Sequence, residues 1–267
     1  MENYDPMEEF GHELNHLLAD LQGESMFDFG WGSITPFSVW AVITAIVVFA
    51  LAWYLRTHIT FIPKFGLAAA LEAVVDYIKR EVGENLLGAH ASEHLPYLLT
   101  LFSFVLLGNL IGLIPGAKSA TGTMSVNLVL SGSSFLYFNY AGMRHYGPLK
   151  YIASIAPAGV PPGLNVLVWL IEVFSMSMRM FSLAIRLFAN MFAGHLTMGV
   201  FAILASVYFL PLMHGITVAA LGSGALSAAW VFILTCIYAA EILVAFIQSY
   251  VFTLLSAVYV QLSTSAH

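Results

Sequence analysis

Charged side chains are scarce in this sequence. Only 9% of the 267 residues are Asp, Glu, Lys or Arg, 60% are hydrophobic, and the mean hydropathy is +0.85. Soluble domains usually carry about 25% charged residues. The composition therefore excludes a soluble globular domain. It predicts an all-α polytopic membrane protein, long enough for five or six spans of about 20 residues each plus loops.

Cysteine is nearly absent, with Cys236 as its single occurrence. One thiol excludes an intrachain disulfide framework and a cysteine-based metal site. The nine histidines show no spacing typical of a ligand set, and no nucleotide-binding loop is present, so we expect no metal, no cofactor and no ATP site. Ser–His, paired-Asp and His-Glu-x-x-His arrangements are also missing, which argues against an intramembrane protease.

Lys and Arg are missing from the first 28 positions, which hold eight of the fifteen acidic side chains. A signal peptide begins with a basic region, so this start argues against one. We predict a solvated acidic tail over residues 1–35 and a first span over 36–56. Arg56, Lys64, Lys79 and Arg80 follow that span. Because positive residues favour the cytoplasmic side, the N-terminus is expected outside and the C-terminus in the cytoplasm.

The middle of the chain combines an amphipathic segment with two spans. Within residues 57–94, apolar side chains recur at helical spacing from Gly66 to Leu87, with charged residues between them. This predicts a helix lying along the cytoplasmic interface. Residues 95–150 are expected to hold spans at Tyr97–Ile114 and Met124–Met143, followed by a cytoplasmic loop. The second span is rich in Ser and Asn, so one of its faces should contact protein or water.

Proline is absent between positions 163 and 210 and again after Pro211. Two apolar segments result, about 164–209 and 217–262. About 46 residues form a helix roughly 69 Å long, whereas the hydrocarbon core is about 30 Å thick. Either each segment divides into two spans, or each is one strongly tilted helix. Hydropathy alone leaves both alternatives open.

Four charged side chains remain after position 150, each within an apolar stretch: Glu172, Arg179, Arg186 and Glu241. A charge at the bilayer centre costs about 2.5–3.5 kcal/mol even on lenient insertion scales, so these residues indicate an ion or substrate path. The first three are spaced seven apart and form one helical stripe roughly 21 Å long. Asn190 extends this stripe, and Ser182 is one of the small residues beside it.

Structural alternatives stay open for most of these positions. Arg179 either supports the path or forms a salt bridge with Glu172. His195 and Glu241 either line the path or make a buried hydrogen bond without a transport role. Arg186 has the weakest structural alternative, because a lone guanidinium in a membrane helix needs a functional reason.

A second class of function also stays open. A component of a small-molecule or secondary transporter would use buried charges to bind its substrate. It predicts an internal repeat and helices broken at mid-membrane, and no repeat is visible. In either class, Asn190 and Gln248 are alternatively hydrogen-bonding contacts between helices.

Two motifs stand out, Ser182-Leu-x-x-Arg186-Leu-Phe-x-Asn190-Met-x-Ala-Gly194 and Asn109-Leu-Ile-Gly-Leu-Ile-Pro115-Gly116. The first resembles the most characteristic motif of subunit a of the F-type ATP synthase, and the second resembles the second-span signature of that family. Glu172 and Gln248 fall at its acidic and polar positions. Ala189 replaces the usual glycine, and His195 with Glu241 is the reciprocal of the arrangement in some members. The resemblance covers about residues 36–262.

The resemblance implies that residues 151–267 form a long helical hairpin carrying the ion path. It implies proton translocation through two half-channels against a rotating c-ring, which couples the proton gradient to ATP synthesis or hydrolysis in a subunit without its own catalytic site. The implied path residues are Arg186, His195, Glu241, Gln248, Asn190 and Glu172, with Arg179 and Ser182 in support. The implied partners are c-ring proteolipids, b-type peripheral stalk subunits, the rest of the synthase and lipid of a bacterial plasma (inner) membrane, and not nucleic acid.

A test of the hairpin uses only the residue numbers. Facing positions in an antiparallel hairpin have a nearly constant sum. His195 with Glu241 gives 436, and Arg186 with Gln248 gives 434. This register predicts the turn near 217–218, to within about one helical turn.

Overall fold

The computed structural model describes residues 6–22, 27–28, 33–58, 66–88, 91–114, 116–148, 150–151, 164–214 and 218–264. Two strands of two residues, Phe27–Asp28 and Ser33–Ile34, pair antiparallel. The α-helices, in chain order, are α1 (Pro6–Gln22), α2 (Pro36–His58), α3 (Leu67–Ile78), α4 (Ala91–Gly112), α5 (Met124–Tyr146), α6 (Asn165–His214) and α7 (Val218–Thr264). A π-helix at Lys79–Leu87 continues α3, and a 3-10 turn at Ala120–Gly122 precedes α5.

Four helices in the described ranges are long and apolar enough to cross a membrane, namely α2, α4, α6 and α7. The all-α polytopic class expected from composition is therefore confirmed. Helix α5 has 23 residues, as many as α2, but its Ser and Asn side chains make it less apolar. Its buried residues include Asn127, Ser131 and Ser134, so its polar face contacts protein.

Helices α6 and α7 are the two longest elements, with 50 and 47 residues. Each is continuous, so the alternative of two spans per segment is not what the chain adopts. At about 1.5 Å per residue, α6 is roughly 75 Å long. A helix of that length must tilt steeply or extend beyond a hydrocarbon layer of about 30 Å.

The two long helices pack as an antiparallel hairpin. Near one end, the Ser227 hydroxyl donates to the Ala205 carbonyl at 2.7 Å. Near the other end, the Arg179 guanidinium lies 5.6 Å from the centre of the Tyr259 ring. Helix α6 ends at His214 and α7 begins at Val218, which brackets the predicted turn. We call the His214–Val218 end of the hairpin the turn end and the opposite end the open end.

Helices α4 and α5 pack against the open-end half of the hairpin. One cluster of fully buried side chains includes Leu98 and Phe102 of α4 and Ala257 of α7. A second joins Val105 of α4 to Leu187 of α6. Helix α2 lies at the periphery and exposes most of its apolar side chains, as expected for a helix surrounded by lipid or by other membrane helices.

The amphipathic segment predicted from Gly66 to Leu87 is helical, with a π-helical second half that sequence analysis did not predict. Ile78 and Val82 are fully buried and belong to the cluster that α4 and α7 share. Arg80 is exposed and pairs with Asp76 at 2.9 Å. The apolar side of this segment therefore contacts the bundle, and its position at a membrane interface stays a prediction.

Helix α4 begins earlier than we predicted. Tyr97 was expected to begin the span after Pro96, but the helix begins at Ala91 and contains Pro96. A proline at the sixth position removes one backbone hydrogen bond, that to the Ser92 carbonyl. Ser92 and Pro96 are both exposed, so the freed carbonyl can be solvated and the helix tolerates the proline.

The N-terminal segment also differs from expectation. Instead of a solvated tail over its whole length, Pro6–Gln22 forms a helix that packs on α6. Leu17 lies directly on Gly199, where an added Cβ would overlap Leu17 Cδ1. Phe10, Leu14 and Leu17 recur at helical spacing, and this apolar pattern outweighs the acidic composition. The placement of this N-terminal segment outside the cytoplasm stays a prediction.

The chain just after α5 is anchored by an aromatic side chain. The Tyr151 ring packs so closely on Gly142 that an added Cβ there would overlap Tyr151 Cε2. The Tyr151 hydroxyl donates to Asn139 Oδ1 at 3.2 Å. Burial raises the pKa of Tyr151, so the hydroxyl stays protonated and keeps its role as a donor.

Candidate ion path

The charged stripe predicted on α6 lies on an unbroken helix. Because Asn165–His214 is continuous, positions seven apart return to nearly the same face, and Glu172, Arg179 and Arg186 follow one another along it. Glu241 and Gln248 lie on α7, which packs beside α6. The hairpin therefore carries all six residues implied by the resemblance.

Arg186 is exposed and has no hydrogen bond or ion pair within the described part of the chain. Ser182, Ala189 and Ala193 are exposed around it. These side chains are small, so a neighbouring helix can approach the guanidinium closely. Larger apolar side chains, among them Ile185 at 52% exposure, continue the same open surface.

Arg179 differs from Arg186 in having two partners. Its Nη2 donates to Glu172 Oε1 at 3.4 Å, with about one third of each side chain exposed. Its guanidinium also lies over the Tyr259 ring of α7. Of the two alternatives for Arg179, the salt bridge to Glu172 is the contact that the structure forms, and the aromatic ring adds a cation–π contact.

Glu241 lies against the residue that precedes His195. A Cβ added to Gly194 would be 2.6 Å from Glu241 Oε2, so only glycine leaves space for the carboxylate. His195 Nε2 is buried and has no hydrogen-bond partner among the described residues. The structure thus brings Glu241 next to the Gly194–His195 step without joining the two side chains by a hydrogen bond.

Gln248 and Asn190 are placed differently with respect to Arg186. Gln248 is 9% exposed on α7, between the buried residues Ala245 and Phe252. The Asn190 Nδ2 is buried and lacks a partner within the described ranges. Neither side chain is hydrogen-bonded to Arg186, which lies on the open surface of α6.

A buried polar network lies beside the hairpin and was missed as a group in sequence analysis. The Thr121 hydroxyl donates to Asn109 Oδ1, and Asn127 Nδ2 donates to the Thr121 carbonyl at 2.7 Å. The Ser119 hydroxyl donates to the Gly108 carbonyl at 3.1 Å. Asn109, Thr121 and Asn127 are fully buried, and the signal that points to them is an amide within an apolar span.

A second polar group joins α4, α5 and α7 nearer the open end. The Ser134 hydroxyl donates to Ser256 Oγ at 2.8 Å. The Tyr137 ring stacks on Tyr97 with centroids 3.8 Å apart, and the Tyr137 hydroxyl lies 3.0 Å from His94 Nδ1. These contacts fix α4, α5 and α7 relative to one another. Within the described segments, no group of three or more His, Cys, Asp or Glu side chains has the arrangement of a metal site.

Comparison with known proteins confirms the resemblance over most of the chain. The family model described as ATP synthase A chain matches residues 38–261. ATP synthase subunit a 2 of Prosthecochloris aestuarii is 38% identical over 200 residues, which cover 75% of this chain and 58% of that protein. ATP synthase subunit a of Chlorobium phaeobacteroides is 36% identical over 229 residues, covering 85% of this chain and 63% of that one.

A relative with lower sequence identity is matched over a larger share of its length. ATP synthase subunit a of Frankia alni is 34% identical over 242 residues, which cover 88% of this chain and 80% of that protein. The chain spans less than two thirds of the length of the first two relatives. All three relatives are bacterial, and the apolar helices place this chain in a membrane.

Proposed function

The chain belongs to the ATP synthase A chain family, and from this we propose that it carries protons through the membrane sector of an ATP synthase. In this role it is the stationary subunit against which a ring of c-type proteolipids rotates. Rotation couples the proton gradient to ATP synthesis or hydrolysis elsewhere in the complex. No ATP site is proposed for this chain.

The observation that carries the proposal is the placement of Arg186. Its guanidinium is exposed, unpaired within the described part of the chain, and surrounded by small side chains. Arginine stays charged at any accessible pH. A rotor carboxyl crosses lipid only in its protonated form, because the ionised form is too costly there. Arg186 favours the ionised form locally, so each passing carboxyl releases its proton there.

Because arginine does not give up its own proton, Arg186 also blocks direct transfer between the two half-channels. The half-channel at the turn end would contain His195, Glu241, Asn190 and Gln248. An imidazole exchanges protons near neutral pH, which suits a relay. The Glu172–Arg179 pair, with Ser182 one turn from Arg186, would belong to the half-channel at the open end.

The side of the membrane to which each half-channel opens follows from the orientation that the basic loops favour. With the N-terminus outside and the C-terminus in the cytoplasm, the turn end opens to the outside of a bacterial plasma membrane. Each charge moved down 100 mV supplies about 2.3 kcal/mol. Several must pass for each ATP, so a leak past Arg186 would uncouple the complex.

Further partners follow from the same proposal. The peripheral α2 helix and its exposed apolar residues, such as Phe49 at 69% exposure, would contact lipid or the membrane helices of b-type stalk subunits. The secondary-transporter alternative predicts helices broken at mid-membrane. Because α6 and α7 are continuous through the region that carries the charges, no observation favours that alternative.

The test is Arg186→Ala in the complete synthase, assayed in membrane vesicles for ATP synthesis driven by an imposed proton gradient. We expect synthesis to be abolished and passive proton leakage to increase, because the fixed charge between the half-channels is gone. Arg56→Ala is the matched control, since Arg56 is exposed at the end of α2. Normal synthesis in the Arg186→Ala complex would refute the proposal.

A further inference from the structure

Three buried nitrogen atoms along the hairpin have no hydrogen-bond partner in the described segments. They are Asn190 Nδ2, His195 Nε2 and Trp230 Nε1. The first two are path residues in the proposed function, whereas Trp230 has no role in it. An unpaired buried donor is rare in proteins and usually indicates a hydrogen bond to an internal water molecule.

Trp230 lies on the face of α7 that contacts α6. Its ring packs against Phe201 with centroids 5.7 Å apart, and Ser227, one turn nearer the turn end, bonds to Ala205 of α6. The next residues of α7, Val231 and Phe232, are 49% and 70% exposed. The indole is therefore inside the seam between the long helices, and its immediate neighbours point away from it.

The position of Trp230 along the hairpin places it outward of the Glu241 carboxylate. Eleven residues separate the two on a continuous helix, which is about 16 Å at 1.5 Å per residue. Eleven residues also make nearly three full turns, so Trp230 and Glu241 point to the same side of α7. Trp230 thus lies between the turn end and the pair formed by Glu241 and the Gly194–His195 step.

We propose that Trp230 is a positioning residue of the half-channel at the turn end, which rests on the function proposed above. Its indole N–H donates a hydrogen bond to a water molecule in the seam. That water accepts a proton from its outward neighbour and passes another inward toward Glu241 and His195, so the number of protons on it is unchanged. The indole itself neither gains nor loses a proton, because its N–H is only a donor.

The first experiment separates the N–H from the ring. Trp230→Phe removes the donor, Trp230→Gln keeps an N–H donor that does not titrate, and Trp53→Phe on the exposed face of α2 is the control. Each complete synthase is assayed for proton-driven ATP synthesis at several outside pH values, normalised to the amount of assembled complex. We expect Trp230→Phe to lower the rate by about three- to tenfold, as for the loss of one ordered water bridge, and most strongly at high outside pH.

A merely structural role would lower the amount of complex without changing the pH profile, and it would not separate the Phe variant from the Gln variant. Trp230→Gln should recover the wild-type profile to within about twofold, since it restores an N–H donor. A Phe variant with the wild-type rate and profile would overturn the proposal.

The second experiment measures water access directly. In a Cys236→Ser background, Trp230→Cys and Val231→Cys are compared for reaction with a membrane-impermeant thiol reagent added outside. The thiolate is the reactive form and requires a polar environment, so we expect labelling at 230 and protection at 231. Equal labelling, or no labelling at 230, overturns the inference. Normal synthesis in Arg186→Ala would instead overturn the proposed function, so the two failures are distinguishable.

Discussion

Two arginines seven residues apart on one helix differ in what surrounds their charge. Arg179 has a carboxylate at 3.4 Å and an aromatic ring on the neighbouring helix, whereas Arg186 has neither within the described part of the chain. A neutralised charge contributes to packing, and an unpaired one is available to a partner. The sequence places both residues on one stripe, but only side-chain geometry separates their roles.

This difference predicts unequal effects of Lys substitution at the two sites. Arg179→Lys keeps a cation near Glu172, and a partly exposed ion pair contributes about 1 kcal/mol or less, so synthesis should stay within about threefold of wild type. Arg186→Lys should lose at least tenfold, because a compact ammonium lacks the reach and planar fork of the guanidinium. Proton-driven synthesis in vesicles measures both, and equal loss in the two variants would contradict the assignment.

Gly194 predicts a second effect at single-residue scale. A methyl group there would lie 2.6 Å from Glu241 Oε2, so Gly194→Ala must displace the carboxylate. We expect about a tenfold loss of proton-driven synthesis, typical of a misplaced functional group. Gly222→Ala is the control, because nothing lies within 4 Å of its added Cβ.

A rescue tests the cause of the Gly194 effect. Glu241→Asp shortens the side chain by one methylene, so the double variant Gly194→Ala/Glu241→Asp should synthesise ATP faster than Gly194→Ala alone. If the shorter acid gave no recovery, steric displacement of the carboxylate would not be the cause.

At the scale of the elements, the two long helices can be predicted from the sequence, whereas the π-helix and the start of α4 cannot. The absence of proline over 163–210 and after Pro211 predicts two long helices, although α6 continues through Pro211 to His214. The polar pairs predict their register, since His195 and Glu241 can face each other only in one alignment. Hydropathy does not report whether each long segment is one helix or two spans, because that depends on tertiary contacts such as those of α4 and α5 with the open-end half. The π-helix at Lys79–Leu87 and the start of α4 before Pro96 likewise depend on tertiary contacts.

The polar network between α4 and α5 predicts a stability effect at this scale. Thr121→Val removes the donor to Asn109 Oδ1 and leaves that oxygen buried without a partner in the described structure. An unsatisfied buried group costs about 1–3 kcal/mol, so the thermal unfolding midpoint of the purified protein in detergent should fall. Thr235→Val, at an exposed hydroxyl bonded only to its own helix, should leave the midpoint unchanged, and equal midpoints for both variants would contradict the role of the network.

At the scale of the whole molecule, the N-terminal helix adds a long-range contact that composition conceals. Helix α1 covers α6 one turn beyond His195, since Leu17 lies on Gly199 and residues four apart share a face. Its exposed side carries Glu13, His12 and His16. If the turn end opens to the outside, this side borders the outer half-channel, where the negative charge of Glu13 raises the local concentration of cations.

The docking of α1 predicts a cross-link. With Cys236 replaced by Ser, Leu17→Cys and Gly199→Cys should form a disulfide under mild oxidation, because Leu17 Cγ lies 3.2 Å from a Cβ built at position 199. Gly199→Leu should displace α1 and increase proteolysis within residues 6–22, because the leucine side chain fills the space that Leu17 occupies. Gly222→Leu, in open space on α7, should leave the cleavage unchanged. Absence of the cross-link, together with equal proteolysis of the two leucine variants, would show that α1 does not dock on α6.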